Sequence, residues 1–176
     1  MYTSCTQRRL HMSSASVSVS SFPIWKTIVV EENLLVSEEE MRKAGIRTGG
    51  RMKDLFCGNV LSERGRAQQN VALVIVTVET LGFAAGQPIQ SILDRANSLG
   101  LNRCTVKDAF RLRLQYEDQP TDESLLVPVL PTSKFPNDEI VLFVHRSNGD
   151  RCIDGYLDNG FRHWFLSDKF VFVRVG

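Results

Sequence analysis

A chain of 176 residues with 43% apolar and 23% charged side chains can build one well-packed domain and is too apolar to stay unfolded. Its formal net charge of +1 gives no overall field for nucleic acid or an anionic membrane. No stretch approaches the roughly 18 consecutive apolar residues of a membrane span. The four cysteines, Cys5, Cys57, Cys104 and Cys152, stand about 50 positions apart, without the close pairs of a zinc site. The expectation is a reduced, cytoplasmic protein with no metal and no cofactor.

Arg8 and Arg9 are followed by serines instead of the apolar stretch of a signal peptide, so residues 1–21 read as a disordered leader ahead of a single domain at 22–176. The β-branched and aromatic segment 25–30 predicts a first strand. Ser37 with Glu40 three residues on is a capping-box pattern, starting a helix over 37–45 that Gly45 ends. A second short helix is expected over 51–57. The run VALVIVTV over 71–78 predicts a strand buried on both faces. Ile89, Ile92, Leu93, Ala96 and Leu99 recur at helical spacing and place an amphipathic helix over 87–99.

Thr105 and Asp108 begin a single turn. Beyond it Phe110-Arg111-Leu112-Arg113-Leu114-Gln115-Tyr116 alternates strictly, which predicts a half-buried strand over 110–116. A polar loop then leads to a strand over 125–130, paired back as a hairpin. Strands over 140–146, 151–157 and 169–175 complete the pattern. Asn148-Gly149 is the signature of a two-residue turn between two of them. The expected fold class is α+β, with helices in the first half packed on a mostly antiparallel sheet.

Several short pieces together carry a resemblance: Phe22-Pro23-Ile24-Trp25-Lys26-Thr27-Ile28, Leu81-Gly82-Phe83, Arg95-Ala96, Leu99-Gly100-Leu101, Leu112 to Tyr116, Asp118-Gln119-Pro120, Asp154-Gly155-Tyr156 and Phe170 to Val173. In that order they resemble a family of small uncharacterised bacterial proteins, of the kind also found among mobile (integron) gene-cassette products. The resemblance implies a self-standing cytoplasmic domain beginning near Phe22 and brings no known activity. The loop Pro131 to Pro136 and the pair Cys152-Ile153 depart from the pattern.

Four places offer chemistry. With Asn148-Gly149 as the turn, His145 faces Cys152, Arg146 faces Arg151, and Asp154 follows on the face of Cys152. A Cys, His and Asp on one face are the components of thiol catalysis, whereas a small thiol packed beside a partly buried histidine is the plainer alternative. Two opposed arginines must splay into water or share an anion. On a strand, Arg111, Arg113 and Gln115 would share one face and clamp a carboxylate or phosphate, with Tyr116, Tyr156 and Trp164 completing a ligand site. The wet face of a sheet is the plain alternative.

The segment 158–166 holds Phe161, His163, Trp164 and Phe165 and either closes over the sheet or offers a contact surface. Arg42, Lys43, Arg47, Arg51, Lys53, Arg64 and Arg66 face only Asp54 and Glu63, with Phe56 as a stacking candidate. This segment suits a phosphate backbone less well than it suits a solvated helical face. No nucleotide-loop, nucleophile-elbow or zinc-protease motif occurs, and there are three histidines in all. The function expected is a non-catalytic module that binds a small polar or anionic ligand, or an adaptor, acting as a homo-oligomer. The alternatives are a regulatory protein contacting a partner protein or nucleic acid, and a thiol enzyme using Cys152, His145 and Asp154.

Overall fold

A computed structural model describes residues 22–31, 37–52, 55 and 69–175. In chain order the elements are β1 (Lys26–Val30), α1 (Glu38–Lys43), β2 (Ile46–Thr48), β3 (Gln69–Thr77), β4 (Gln87–Pro88), α2 (Ile89–Ser98), β5 (Leu101–Asn102), α3 (Val106–Gln115), β6 (Ser124–Val129), β7 (Glu139–Ser147), β8 (Asp150–Asp158), β9 (His163–Trp164) and β10 (Lys169–Arg174). Met52 and Leu55 are also helical and buried; the rest of the helix expected over 51–57 lies mainly outside the described residues. So do the proposed leader and, within the basic segment, Lys53, Asp54, Phe56, Glu63, Arg64 and Arg66.

Eight of the strands form one mixed sheet in the order β1-β3-β10-β6-β7-β8-β2, with β5 pairing β10 off that path, and β4 pairs β9 in a second, two-stranded sheet. The large sheet curls into a half-barrel. The pairs β10–β6 and β2–β8 are parallel and the remaining pairs of this sheet are antiparallel. This corrects the expected fold class. The molecule is a curled sheet with few helices, not a helical half packed on a sheet half.

Strand alternation sorts side chains into two cores. Ile28, Leu73, Val171, Leu125, Val127, Ile140, Leu142 and Val144 face α3, which supplies Val106, Ala109, Phe110 and Leu112. Val74, Val76, Phe170, Phe172, Leu126 and Val141 face the other way, beneath Ile89, Ile92, Leu93 and Ala96 of α2 and the indole of Trp164. Covered on both faces, β3 has the continuous apolar run that such strands need.

The second correction concerns 110–116, which is the C-terminal part of α3 and its cap, not a strand. Thr105 and Asp108 form a full capping box, so the single turn expected there propagates. The buried helical stripe is Val106, Ala109, Phe110 and Arg113. An arginine in the place of a leucine broke that stripe, so alternation dominated the pattern. The strand expected to pair with 110–116 pairs elsewhere: β6 lies between β7 and β10.

Helix α3 touches β1, β6, β7 and β8, lying across the hollow of the curl. Its last residue, Gln115, clips the free edge of β1. The side-chain Oε1 accepts from the Val29 N–H at 3.1 Å and Nε2 donates to the Val29 carbonyl at 2.8 Å. A side-chain amide here satisfies the backbone groups that another strand would otherwise take. Gln115→Ala is expected to cost about 1 kcal/mol in urea denaturation and to raise light scattering on warming, as the bare edge recruits other chains.

Candidate functional site

The Asn148-Gly149 turn sets the register of the β7–β8 hairpin. Asn148 has φ 53° and Gly149 has φ 86°, the paired positive values of a tight hairpin turn. Ser147 then opposes Asp150, Arg146 opposes Arg151, and His145 opposes Cys152, as the sequence implies. Across the other neighbour, Ser124 of β6 opposes His145. Ser124, His145 and Cys152 thus form one row across three strands, on the face turned away from α3. Phe143 with its opposite Asp154 follows on that face, and then Tyr156.

Apart from the buried Cys152, these side chains line an open cleft of about 690 Å³, bounded by Thr121 and Asp122 at one rim and Gly50 and Arg51 at the other. Phe143 and Tyr156 are half-buried and rest on Trp164, with ring centroids 6.1 and 6.3 Å from the indole. Trp164 is fully buried, packs edge-on against Phe170 and donates its Nε1–H to Asp158 Oδ2 at 3.0 Å. Arg162 lies 4.0 Å above the indole and 5.4 Å from the Tyr156 ring. The aromatic loop therefore divides: Trp164 plugs the core, while Phe161 and Phe165 stand 88% and 70% exposed.

Asp154 is held from two sides. Its Oδ1 accepts from the Gly155 N–H at 2.9 Å, and the end of β2 presses so close that a Cβ on Gly49 would fall 1.9 Å from Oδ1. Only glycine permits that approach. The Cys152 thiol is buried and donates to the Asp150 carbonyl at 3.5 Å. No hydrogen bond links Cys152, His145 and Asp154 to one another, so the thiol relay has its components on one face without its connections.

The other expected ligand residues do not meet there. On a helix Arg111 and Arg113 project about 200° apart, so the same-face clamp is not formed. Arg111 pairs with Glu31 at 3.3 Å. Gln115 clips β1, and the Tyr116 hydroxyl donates to Glu123 at 2.7 Å.

Arg113 is 0% exposed and donates to Gln119 Oε1 and to the carbonyls of His145 and Tyr116. Arg146 donates to the Glu117 carbonyl, and Arg151 to those of Leu114 and Ala44. The opposed Arg146 and Arg151 thus converge with Arg113 on the negative, carbonyl-rich end of α3 instead of on a bound anion. Burial, then the charges of Arg151 and Arg146, pull the Arg113 pKa down to about 10. Of the basic segment, Arg42 and Lys43 pair with Glu39, and Arg47 with Asp150.

A larger hollow of about 1000 Å³ lies between α2, β5 and the β1–β3 edge. Its charges are already engaged: Arg103 with Glu139, Asp94 with Gln90, Glu31 with Arg111, and Asp108 in its cap. The β6–β8 cleft, whose polar groups point outward, is the better candidate site. Among the described residues no His, Cys, Asp and Glu cluster could hold a metal ion, and no helix is long and apolar enough to cross a membrane. No protein-family profile, characterised protein or solved structure matches this chain.

Sequence reasoning reached His145, Cys152, Asp154 and Tyr156 through the turn. It missed Ser124, Thr121 and Asp122, because the β6–β7 register is set by tertiary packing and not by a turn. The adjacent Gly49-Gly50 was the one local signal of a close backbone approach.

Two buried groups fix how the fold responds to alkali. Burial, then the Asp108 carboxylate, raises the Cys104 thiol well above its ordinary 9.0. Burial, then the hydrogen bond to Glu123, raises the Tyr116 phenol above its ordinary 10.0. Each folded-state value exceeds the unfolded one, so each contribution is complete below the unfolded pKa and lost as pH rises above it. Arg113 has the opposite sign, but only above about pH 10, where its folded form loses a proton first. Urea midpoints are expected to stay level near neutral pH and to fall from about pH 9. The gap between wild type and Tyr116→Phe, about 1 kcal/mol at pH 7, is expected to narrow above pH 10.

Proposed function

We propose that this protein is a non-catalytic binding module for a small organic molecule, with the β6–β8 cleft as its site. The observation that carries this reading is the pairing of two half-buried rings, Phe143 and Tyr156, with outward-facing Ser124, His145 and Asp154 on one sheet face. An apolar floor with a few convergent polar groups is the usual make-up of a small-ligand site. Rigid strands hold every one of these residues, so little ordering cost opposes binding.

The anionic ligand expected from Arg111 and Arg113 loses its basis, since both guanidinium groups are committed inside the fold. Cytoplasmic location is part of the proposal, supported by Cys104 and Cys152 both being free. So is a homo-oligomer, supported by the bare rings of Phe161 and Phe165. Membership of the small bacterial gene-cassette family stands with it, on the resemblance alone.

A thermal-shift panel of metabolites against the wild type and Tyr156→Ala tests the site. At least one compound is expected to raise the wild-type Tm by several degrees at saturating concentration and to leave the variant unmoved. Equal stabilisation of both proteins by every active compound would place the site elsewhere.

A further inference from the structure

We infer that the cleft recognises an organic cation, an ammonium group carried on a flat apolar body. This rests on the β6–β8 cleft being a ligand site and adds the chemistry of the ligand.

The Asp154 carboxylate is half-buried, with Oδ1 occupied by the Gly155 N–H and its back blocked by Gly49. A half-buried carboxylate ordinarily acquires a cationic partner, and three of the nearby arginines are engaged elsewhere. Arg47 pairs with Asp150, Arg151 with Glu117, and Arg146 donates to the Glu117 carbonyl. Among the described residues, Asp154 forms no ion pair. Arg51 and Arg146 also line the cleft, but neither forms an ion pair with this carboxylate.

The rings beside it have the complementary property. Phe143 lies directly across from Asp154, and Tyr156 is the next residue of β8 on that face. Aromatic faces attract cations, most strongly where water is partly excluded. This cluster already holds one: the Arg162 guanidinium lies over Trp164 and Tyr156. A carboxylate flanked by two rings is the arrangement that selects alkylammonium groups. An anion entering the same cleft would meet Asp154 and Asp122, with Glu123 behind them, three carboxylates against the two guanidinium groups of Arg51 and Arg146.

Three matched probes test this by NMR: phenethylamine, phenethyl alcohol and 3-phenylpropanoate, which share a ring and a short chain but differ in charge. Phenethylamine is expected to shift the backbone amide signals of Phe143, Asp154 and Tyr156 and to bind about tenfold more tightly than the alcohol. Asp154→Asn is expected to erase that advantage and leave the alcohol unaffected. A second measurement needs no variant: in the wild type, added sodium chloride is expected to weaken the amine and spare the alcohol. If the alcohol or the carboxylate binds this cleft as well as the amine, the inference fails while the cleft remains a ligand site. If the amine moves none of these signals, the inference also fails, and the site reading then depends on the metabolite panel.

Discussion

Trp164→Ala is expected to lower stability by about 4 kcal/mol, the range for emptying a fully buried indole site. The ring touches Phe143, Tyr156 and Phe170, and its Nε1–H satisfies Asp158. Alanine would leave a cavity and an unpaired, buried carboxylate oxygen. Trp164→Phe separates the two effects: it fills most of the volume and orphans only Asp158, at a cost of about 1–2 kcal/mol. Urea unfolding of both variants measures the difference. The cleft gives a second readout, because Phe143 and Tyr156 rest on this indole. Trp164→Ala is expected to abolish binding of any compound that acts through those rings. Equal stability of the two variants would mean that the hydrogen bond, and not the packing, anchors the loop.

Arg113→Met is expected to cost about 3 kcal/mol. Methionine matches much of the arginine's length and relieves the burial of a charge, which favours the variant. It also strips Gln119 Oε1 and the carbonyls of His145 and Tyr116 of their donor in a dry interior. Three bare acceptors outweigh one relieved charge. Arg113→Lys keeps the charge but cannot donate in a planar fork, and is expected to fall between wild type and methionine. Double substitution with Gln119→Leu removes one acceptor as well, so the pair is expected to be less costly than the sum of the single changes. Chemical denaturation of the four proteins closes that cycle. Strict additivity would show that the Arg113–Gln119 hydrogen bond contributes nothing to stability.

These residues also explain which parts of the fold were legible. Asn148-Gly149 specified the β7–β8 register because a two-residue turn leaves one pairing open. With that register came the buried Cys152 and the cleft residues His145, Asp154 and Tyr156. The helical continuation beyond Phe110 was hidden by Arg113, a charged residue at the centre of a helix's buried stripe. Its burial depends on Gln119, His145 and Tyr116, which a period count cannot see. The short strands β2, β5 and β9 carry too few residues for any period. The parallel β10–β6 pair joins segments about 44 positions apart, with no turn between them to set the register. Ser124 entered the site by that tertiary route and had no local signature.

The position of β10 carries a consequence for biogenesis. Among the described residues, the pieces β1–β3 and β6–β7–β8–β2 share no pairing except through this strand. While a ribosome is still decoding codons before Lys169, the emerging polypeptide has two unfinished blankets, bridged by α3 but with no strand between them. Both leave greasy margins open to neighbours or to a chaperone, and closure waits for Phe170, Val171 and Phe172 to slide between them. Such distant joining is slow. Production of this protein should therefore benefit from slower translation or cooler growth more than hairpin-built domains of equal size do.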